Sequence, residues 1–231
     1  MCGRFTLKTP KEVIAKQFGV EIEKGLAPRY NIAPTQGIAA IRATAQGGEG
    51  REFVHLKWGL IPSWAKDASM GARLINARSE TVTEKPSFRE AFKRRRAIIP
   101  ADGIYEWQRT VKGKQPYFIR MRDGGLFGFA GLWDRWRNEE GEIIESCSIL
   151  TTEANEVFRP IHERMPVVLD PGSYGEWLDT DARGVEALKE LLRPYPSSEM
   201  IAYPVSARVN SPQHQGAELI EQLATNSASA R

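Results

Sequence analysis

Apolar and polar positions alternate with a period of two over residues 51–58, where Val54, Leu56 and Trp58 share one face and Phe53, His55 and Lys57 the other. That period predicts a half-buried strand. Residues 37–42 read as its hairpin partner, with Gln46-Gly47-Gly48-Glu49-Gly50 as the turn. A second meander is expected from Ala97 to Thr152. Its strands lie near 103–109, 116–122, 126–133 and 143–151, broken at Lys112-Gly113-Lys114, Asp123-Gly124-Gly125 and Asn138-Glu139-Glu140-Gly141. One more strand is expected near 200–206. Helical signals are short. Thr9-Pro10-Lys11-Glu12 predicts a helix start, with Thr9 as cap, Glu12 completing a capping box, and Gly19 at the far end. Val13, Ile14 and Phe18 would form its apolar face. Residues 172–178 and 181–192 predict two further helices. Strands outnumber helices and follow one another in sequence, so the predicted fold class is α+β, a single domain with a mainly antiparallel sheet, curled towards a barrel and flanked by short helices. The domain is expected over residues 1–222, with 223–231 as a flexible C-terminal tail.

Composition narrows the function classes. At 231 residues, 41% hydrophobic and 26% charged, the chain can bury a core. Its 32 Lys+Arg and 29 Asp+Glu leave a net charge of +3, so a nucleic-acid site must come from local clustering, not from a bulk field. The cysteines are Cys2 and Cys147, too few for a disulfide framework, which favours a reducing, cytoplasmic setting. The first twenty residues hold no apolar leader, and no stretch approaches the roughly 18 apolar residues of a membrane span. No membrane partner is expected. Three scattered histidines and two cysteines show no metal-ligand spacing, so neither a metal nor another cofactor is expected.

The chemistry starts at Met1-Cys2-Gly3-Arg4. Removal of the initiator methionine before a small residue would leave an accessible Cys2 carrying amine and thiol on adjacent carbons. With an aldehyde the amine forms a Schiff base, and the thiol adds to it to close a five-membered thiazolidine. The plainer alternative is a small residue that happens to lie near the terminus.

Three polar segments could serve such a site. In Leu74-Ile75-Asn76-Ala77-Arg78, Asn76 and Arg78 share a side if the stretch is extended, joining an amide to a guanidinium suited to phosphate. Asn76 could equally be a turn residue and Arg78 a surface ion-pair partner. Glu106 lies between Tyr105 and Trp107 on a predicted strand, where it could move protons or simply pair with a cross-strand cation. His162 sits in a loop between Pro160 and Pro166, a better catalytic position than His55 on a strand's polar face or His214 near the end.

Six segments together resemble the SOS-response-associated peptidase family: Met1-Cys2-Gly3-Arg4-Phe5, Arg29-Tyr30-Asn31-Ile32-Ala33-Pro34, Trp58-Gly59-Leu60-Ile61-Pro62-Ser63-Trp64, Ile75-Asn76-Ala77-Arg78-Ser79-Glu80-Thr81, Pro100-Ala101-Asp102-Gly103 through Glu106-Trp107, and Ile161-His162-Glu163-Arg164-Met165-Pro166. They run in the family's order from Met1 to about Ile220. The resemblance implies a sensor of abasic sites in single-stranded DNA, acting as a monomer at replication forks, that crosslinks itself to the lesion and shields it. It implies Cys2 as the crosslinking residue, Asn76 as the amide holding the adduct, Glu106 as acid/base, and His162 as the group assisting sugar ring opening. Arg4, Arg78 and Arg164 would contact phosphates, and Pro34 with the Trp64 region would unstack neighbouring bases. Ala65 stands where some members carry a second aromatic, which leaves the identity of the wedge open. Self-processing at the terminus, reversal of the link and a weak lyase activity are further implications.

Two other classes give different expectations. An N-terminal-nucleophile amidohydrolase also begins with a mature Cys-Gly, but continues with an apolar strand where this chain has Arg4-Phe5-Thr6. A noncovalent single-strand or modified-base binding module would use the run Lys93-Arg94-Arg95-Arg96 and the six tryptophans. It predicts no covalent product. The competing explanations are a solvated helix end for the run and core positions for most of the tryptophans.

Overall fold

The computed structural model describes residues 2–23, 25–44, 50–111, 113–179 and 184–224. In chain order these form β1 (Phe5–Leu7), α1 (Lys11–Phe18), β2 (Arg29–Ile32), β3 (Gly37–Ala43), β4 (Arg51–Trp58), β5 (Asn76–Arg78), α2 (Arg89–Arg94), β6 (Arg96–Ala101), β7 (Gly103–Thr110), β8 (Gly113–Met121), β9 (Phe127–Arg137), β10 (Ile143–Glu153), β11 (Arg164–Pro166), β12 (Val168–Leu169), α3 (Tyr174–Leu178), α4 (Val185–Glu190) and β13 (Met200–Pro204). Short 3-10 turns, including Ala207–Asn210, fill several connections.

Strands β4, β3, β6, β9 and β10 close on themselves as a barrel, because β10 pairs antiparallel with β9 and parallel with β4. The fold is thus α+β and mainly antiparallel, with the curled sheet that the sequence predicts. Strand β5 extends β10 in parallel, while β11 and β12 pair antiparallel with β10 and β9. A second sheet runs in the order β13-β8-β7-β1-β2. The two meet where Phe5 of β1 packs edge-on against Trp58 of β4 and Phe129 of β9, at centroid distances of 5.3 and 5.7 Å. Burying these aromatic faces ties the first strand, and so the start of the chain, to the barrel core.

Local chemistry explains why so short a strand holds. Thr6 is buried on β1 because its hydroxyl donates to Asp102 Oδ1 at 2.6 Å. Asp102 Oδ2 then accepts from the backbone N–H groups of Lys8 (2.7 Å) and Thr9 (2.9 Å) and from the Thr9 hydroxyl (2.9 Å). Gly103 beside it has no room for a side chain, since a Cβ would lie 1.9 Å from the Phe118 ring and 2.9 Å from Thr6 Oγ1. A charged acceptor on otherwise orphaned donors, with a glycine that lets the strands close up, fixes β1 against β7.

The structure corrects several local expectations. Thr9 does not cap α1: Pro10 occupies that position without a side-chain bond, and Asp102 has captured the Thr9 hydroxyl. Val13 is exposed, leaving Ile14 and Phe18 as the buried face. Gly19 ends the helix in the left-handed conformation, as its position suggested. Strand β9 runs to Arg137 and β10 to Glu153, longer than the sequence pattern indicated, because the barrel pairing with β10 extends β9 through polar residues and pairing with β11 extends β10. The predicted hairpin turn at 46–49, Lys112, the first turn of the 181–192 helix and residues 225–231 of the predicted tail lie outside the described residues. Among the described residues no helix is long and apolar enough to cross a membrane.

Candidate functional site

The site forms at the seam between the two sheets. Beyond β1 the ladder to β7 continues, since the Tyr105 N–H donates to the Arg4 carbonyl at 3.0 Å. Extending that antiparallel register brings Cys2-Gly3 alongside Glu106-Trp107. From the barrel side, Asn76 donates its Nδ2–H to the Cys2 carbonyl at 2.8 Å. Strand β5 holds Asn76 through its parallel register with Ile149–Thr151 of β10. The buried indole of Trp58 adds a bond to the Ile75 carbonyl at 2.9 Å. The excursion from β4 to β5 is itself pinched shut by Gly59 and Gly71: a Cβ on either would lie 2.6 Å from the other's carbonyl oxygen. Gly59 also has φ +130°, a conformation suited to glycine.

Cys2 is fully buried in the chain that still carries Met1. Burial, followed by the nearby Glu106 charge, pushes its thiol well above the usual range. Glu106 is buried too, with the Trp107 N–H 3.4 Å from its Oε2. Two residues along the same strand face, Gln108 donates to the Pro160 carbonyl at 2.9 Å, which brings the loop bearing His162 over this end of β7. Asn155 shapes that loop. Its Oδ1 accepts from the N–H groups of Val157 and Phe158, both at 3.1 Å, and its Nδ2 donates to the Tyr195 carbonyl at 2.8 Å. His162 Nδ1 accepts from the Arg164 N–H at 3.0 Å, so a neutral ring carries its proton on Nε2.

The three arginines differ. Arg4 is partly buried: its Nη1 donates to Asn31 Oδ1 (2.7 Å) and the Val209 carbonyl (2.8 Å), and its guanidinium lies 5.8 Å from the Trp107 ring centre. Arg78 is exposed, on the same strand side as Asn76, and makes no side-chain hydrogen bond or ion pair among the described residues. Arg164 grips Glu80 with two bonds, 2.6 and 2.9 Å, and the Thr151 carbonyl with a third at 2.6 Å.

Pro34 and Trp64 sit on connecting segments. Pro34 opens the turn between β2 and β3, followed by Thr35 at φ +72° with its N–H on the Trp58 carbonyl (2.8 Å). Trp64 is 57% exposed on a segment docked through Ser63 N–H to Asp134 Oδ2 (3.0 Å) and Trp136 Nε1–H to the Ala65 carbonyl (2.8 Å). Among the described residues no hydrogen bond or ring contact ties either to Cys2, Asn76, Glu106 or His162. A groove of about 740 Å³ between α1 and the start of β4 contains none of the site residues, so volume alone does not locate the chemistry.

Several supporting residues escaped sequence reasoning. Asn31 is buried and its Nδ2 lies within hydrogen-bond reach of the carbonyls of Val209, Ser211 and His214, pinning the C-terminal segment beneath Arg4. Such polar residues inside a strand leave only a weak trace, namely a hydrophilic break in an apolar run. The basic run 93–96 reads differently in three dimensions. Arg96 is buried and bonded to the carbonyls of Phe92, Lys93, Trp177 and Asp179, so it serves the core. Trp58, Trp136 and Trp177 are core residues as well, which weakens a stacking surface built from tryptophans.

Over residues 1–212 the chain matches the family described as SOS response associated peptidase (SRAP), and it belongs to that family. Its relatives include the Bacillus subtilis (strain 168) abasic site processing protein YoqW, 44% identical over 225 residues that cover 96% of this chain and 99% of YoqW. The Escherichia coli (strain K12) abasic site processing protein YedK is 32% identical, covering 96% of this chain and 99% of YedK. Mouse abasic site processing protein HMCES is 29% identical, covering 95% and 75%. Among solved structures, a protein from Bacteroides thetaiotaomicron superposes with a TM-score of 0.86 at 27% identity, covering 96% of this chain and all of that one.

Proposed function

We propose that the mature chain, freed of Met1, captures abasic sites in single-stranded DNA by closing a thiazolidine between Cys2 and the sugar aldehyde. The observation that carries the reading is the Asn76 bond to the Cys2 carbonyl at 2.8 Å, which fixes the first mature residue beside Glu106. The amine of Cys2 attacks the aldehyde carbon, water leaves to give the iminium, and the sulfur adds to that carbon as its proton passes to a neighbouring base. One water is released and the ring nitrogen keeps one hydrogen. Cys2 engages the aldehyde through nitrogen first, and Glu106 is the group at hand to take the thiol proton at closure. Among the described residues, buried Asn76 Oδ1 has no hydrogen-bond partner, which suits it to accept from the amine or the ring N–H.

His162, with its neutral proton on Nε2, would donate to the oxygen released as the closed sugar opens. Exposed Arg78, on the Asn76 side of β5, would meet phosphate, with Arg4 and Arg164 as further contacts and Pro34 and Trp64 as the edges that part the bases. Removal of Met1 by the protein itself, reversal of the link and weak β-elimination at the Schiff base belong to the same reading. Its setting is DNA damage at replication forks, where the adduct shields the lesion. The test is denaturing electrophoresis after incubation with a single-stranded oligonucleotide holding one abasic site. A linked band lost in Cys2→Ala supports the reading; a band retained in Cys2→Ala and lost in Cys147→Ala opposes it.

A further inference from the structure

The resemblance casts Arg164 as a phosphate contact, yet three of its five guanidinium donors are already committed. Two grip Glu80 and one the Thr151 carbonyl. Its Nε–H is buried with no acceptor among the described residues. The pair spans 84 residues and joins the two arms of the site: Glu80 lies four residues after Asn76, and Arg164 two after His162. Both arms flank the same stretch of β10, where Thr151 is paired with Arg78 of β5 on one side and Pro166 of β11 on the other.

The backbone completes the link. Arg164 opens a strand of only three residues, and its N–H points at His162 Nδ1. The guanidinium anchor therefore sets the residue whose N–H selects the tautomer of the histidine. Glu80 stays ionised in this role, since hydrogen bonds from Arg164 hold its carboxyl below the usual value of 4.5.

We propose that Glu80 is a positioning residue for His162: by clamping Arg164 it holds the Arg164 N–H on His162 Nδ1 and keeps the ring proton on Nε2, facing the sugar. The inference rests on the abasic-site reading for its catalytic consequence, while the tautomer can be measured without any substrate.

The experiment uses full-length protein in four variants, Glu80→Gln, Glu80→Asp, His162→Ala and the double Glu80→Gln/His162→Ala. Nitrogen-15 NMR of the imidazole reports the tautomer. Crosslinking time courses compare a closed-ring abasic site with a permanently open-chain aldehyde in the same oligonucleotide. In the parent protein the neutral ring should carry its proton on Nε2. Glu80→Gln should give a mixture of tautomers and slow crosslinking of the closed ring by roughly tenfold, leaving the open-chain rate within about twofold. Glu80→Asp should recover part of the loss, and it replaces Glu80→Gln in every comparison if thermal unfolding shows the latter misfolded. The double variant should be no slower than His162→Ala, because both changes remove the same step. An unchanged tautomer with an unchanged closed-ring rate, or equal slowing of both substrates, overturns the proposal. Absence of any adduct from the parent protein would instead overturn the abasic-site reading, and the tautomer would still decide the role of the clamp.

Discussion

Asn76 and Cys2, 74 residues apart in sequence, are joined by a hydrogen bond of 2.8 Å from the amide to the cysteine carbonyl. It crosses the seam between β5, which extends barrel strand β10, and the segment leading into β1, so the start of the chain is held by both sheets. Asn76→Ala should leave the melting temperature nearly unchanged and slow crosslinking by roughly tenfold, the effect of losing about 1.5 kcal/mol of positioning. Time courses with the abasic oligonucleotide would check this. An undiminished rate would show that Cys2 is placed by β1 alone.

Asp102 supports the same end of the chain from the link between β6 and β7. Its carboxylate accepts from Thr6, Lys8 and Thr9, fastening the chain immediately after Cys2. Asp102→Ala would leave buried donors unmet and should cost about 3 kcal/mol, a drop in melting temperature of roughly 10 °C. Cys2 should also become faster to alkylate with iodoacetamide. Loss of stability without faster alkylation would separate Asp102 from the site.

Much of this was legible in the sequence, and what was not has identifiable physical causes. The alternation over 51–58 became a strand, and the turn signals after Ala97 separate real strands, although β7, β9 and β10 are buried in continuous runs and not in alternation. Strands β1, β5 and β11 are three residues each, too short to show a period. Only partners distant in sequence make them strands. Thr9 shows the same limit, because a local capping pattern gave way to a buried carboxylate 93 residues away. The candidate site residues were visible as polar intrusions in apolar stretches, but burial of Cys2 was not, since it depends on the packing of two sheets.

Alkaline pH should destabilise the fold. The thiols of Cys2 and Cys147 are raised above 9.0, chiefly by burial, and the Tyr174 hydroxyl is raised from 10.0 to about 12 for the same reason. The folded state prefers the protonated forms. The unfolded chain releases these protons first, so the stabilisation is complete below the unfolded values near 9 and is lost as pH climbs towards the folded ones. The melting temperature should hold from about pH 7 to 8.5 and fall above it. Cys147→Ala should make that fall shallower; an identical pH profile would discount the thiol.

Salt should separate the arginines. Arg78 is exposed on the Asn76 side of β5, whereas Arg4 is tied to Asn31 and Val209. Arg78→Ala should lower the slope of log K against log salt for reversible single-strand binding by roughly 0.7, one phosphate's share. Arg4→Ala should lower the melting temperature as well as affinity, and Arg78→Ala affinity alone. Equal stability loss in both would contradict the distinction.

The most direct measurement is the intact mass of the protein after incubation with a single-stranded oligonucleotide carrying one abasic site. The account predicts a chain lacking Met1 plus one oligonucleotide less one water, stable to denaturation and absent from Cys2→Ala. A protein that remains unmodified, or a Cys2→Ala variant that gains the same stable mass, would contradict it.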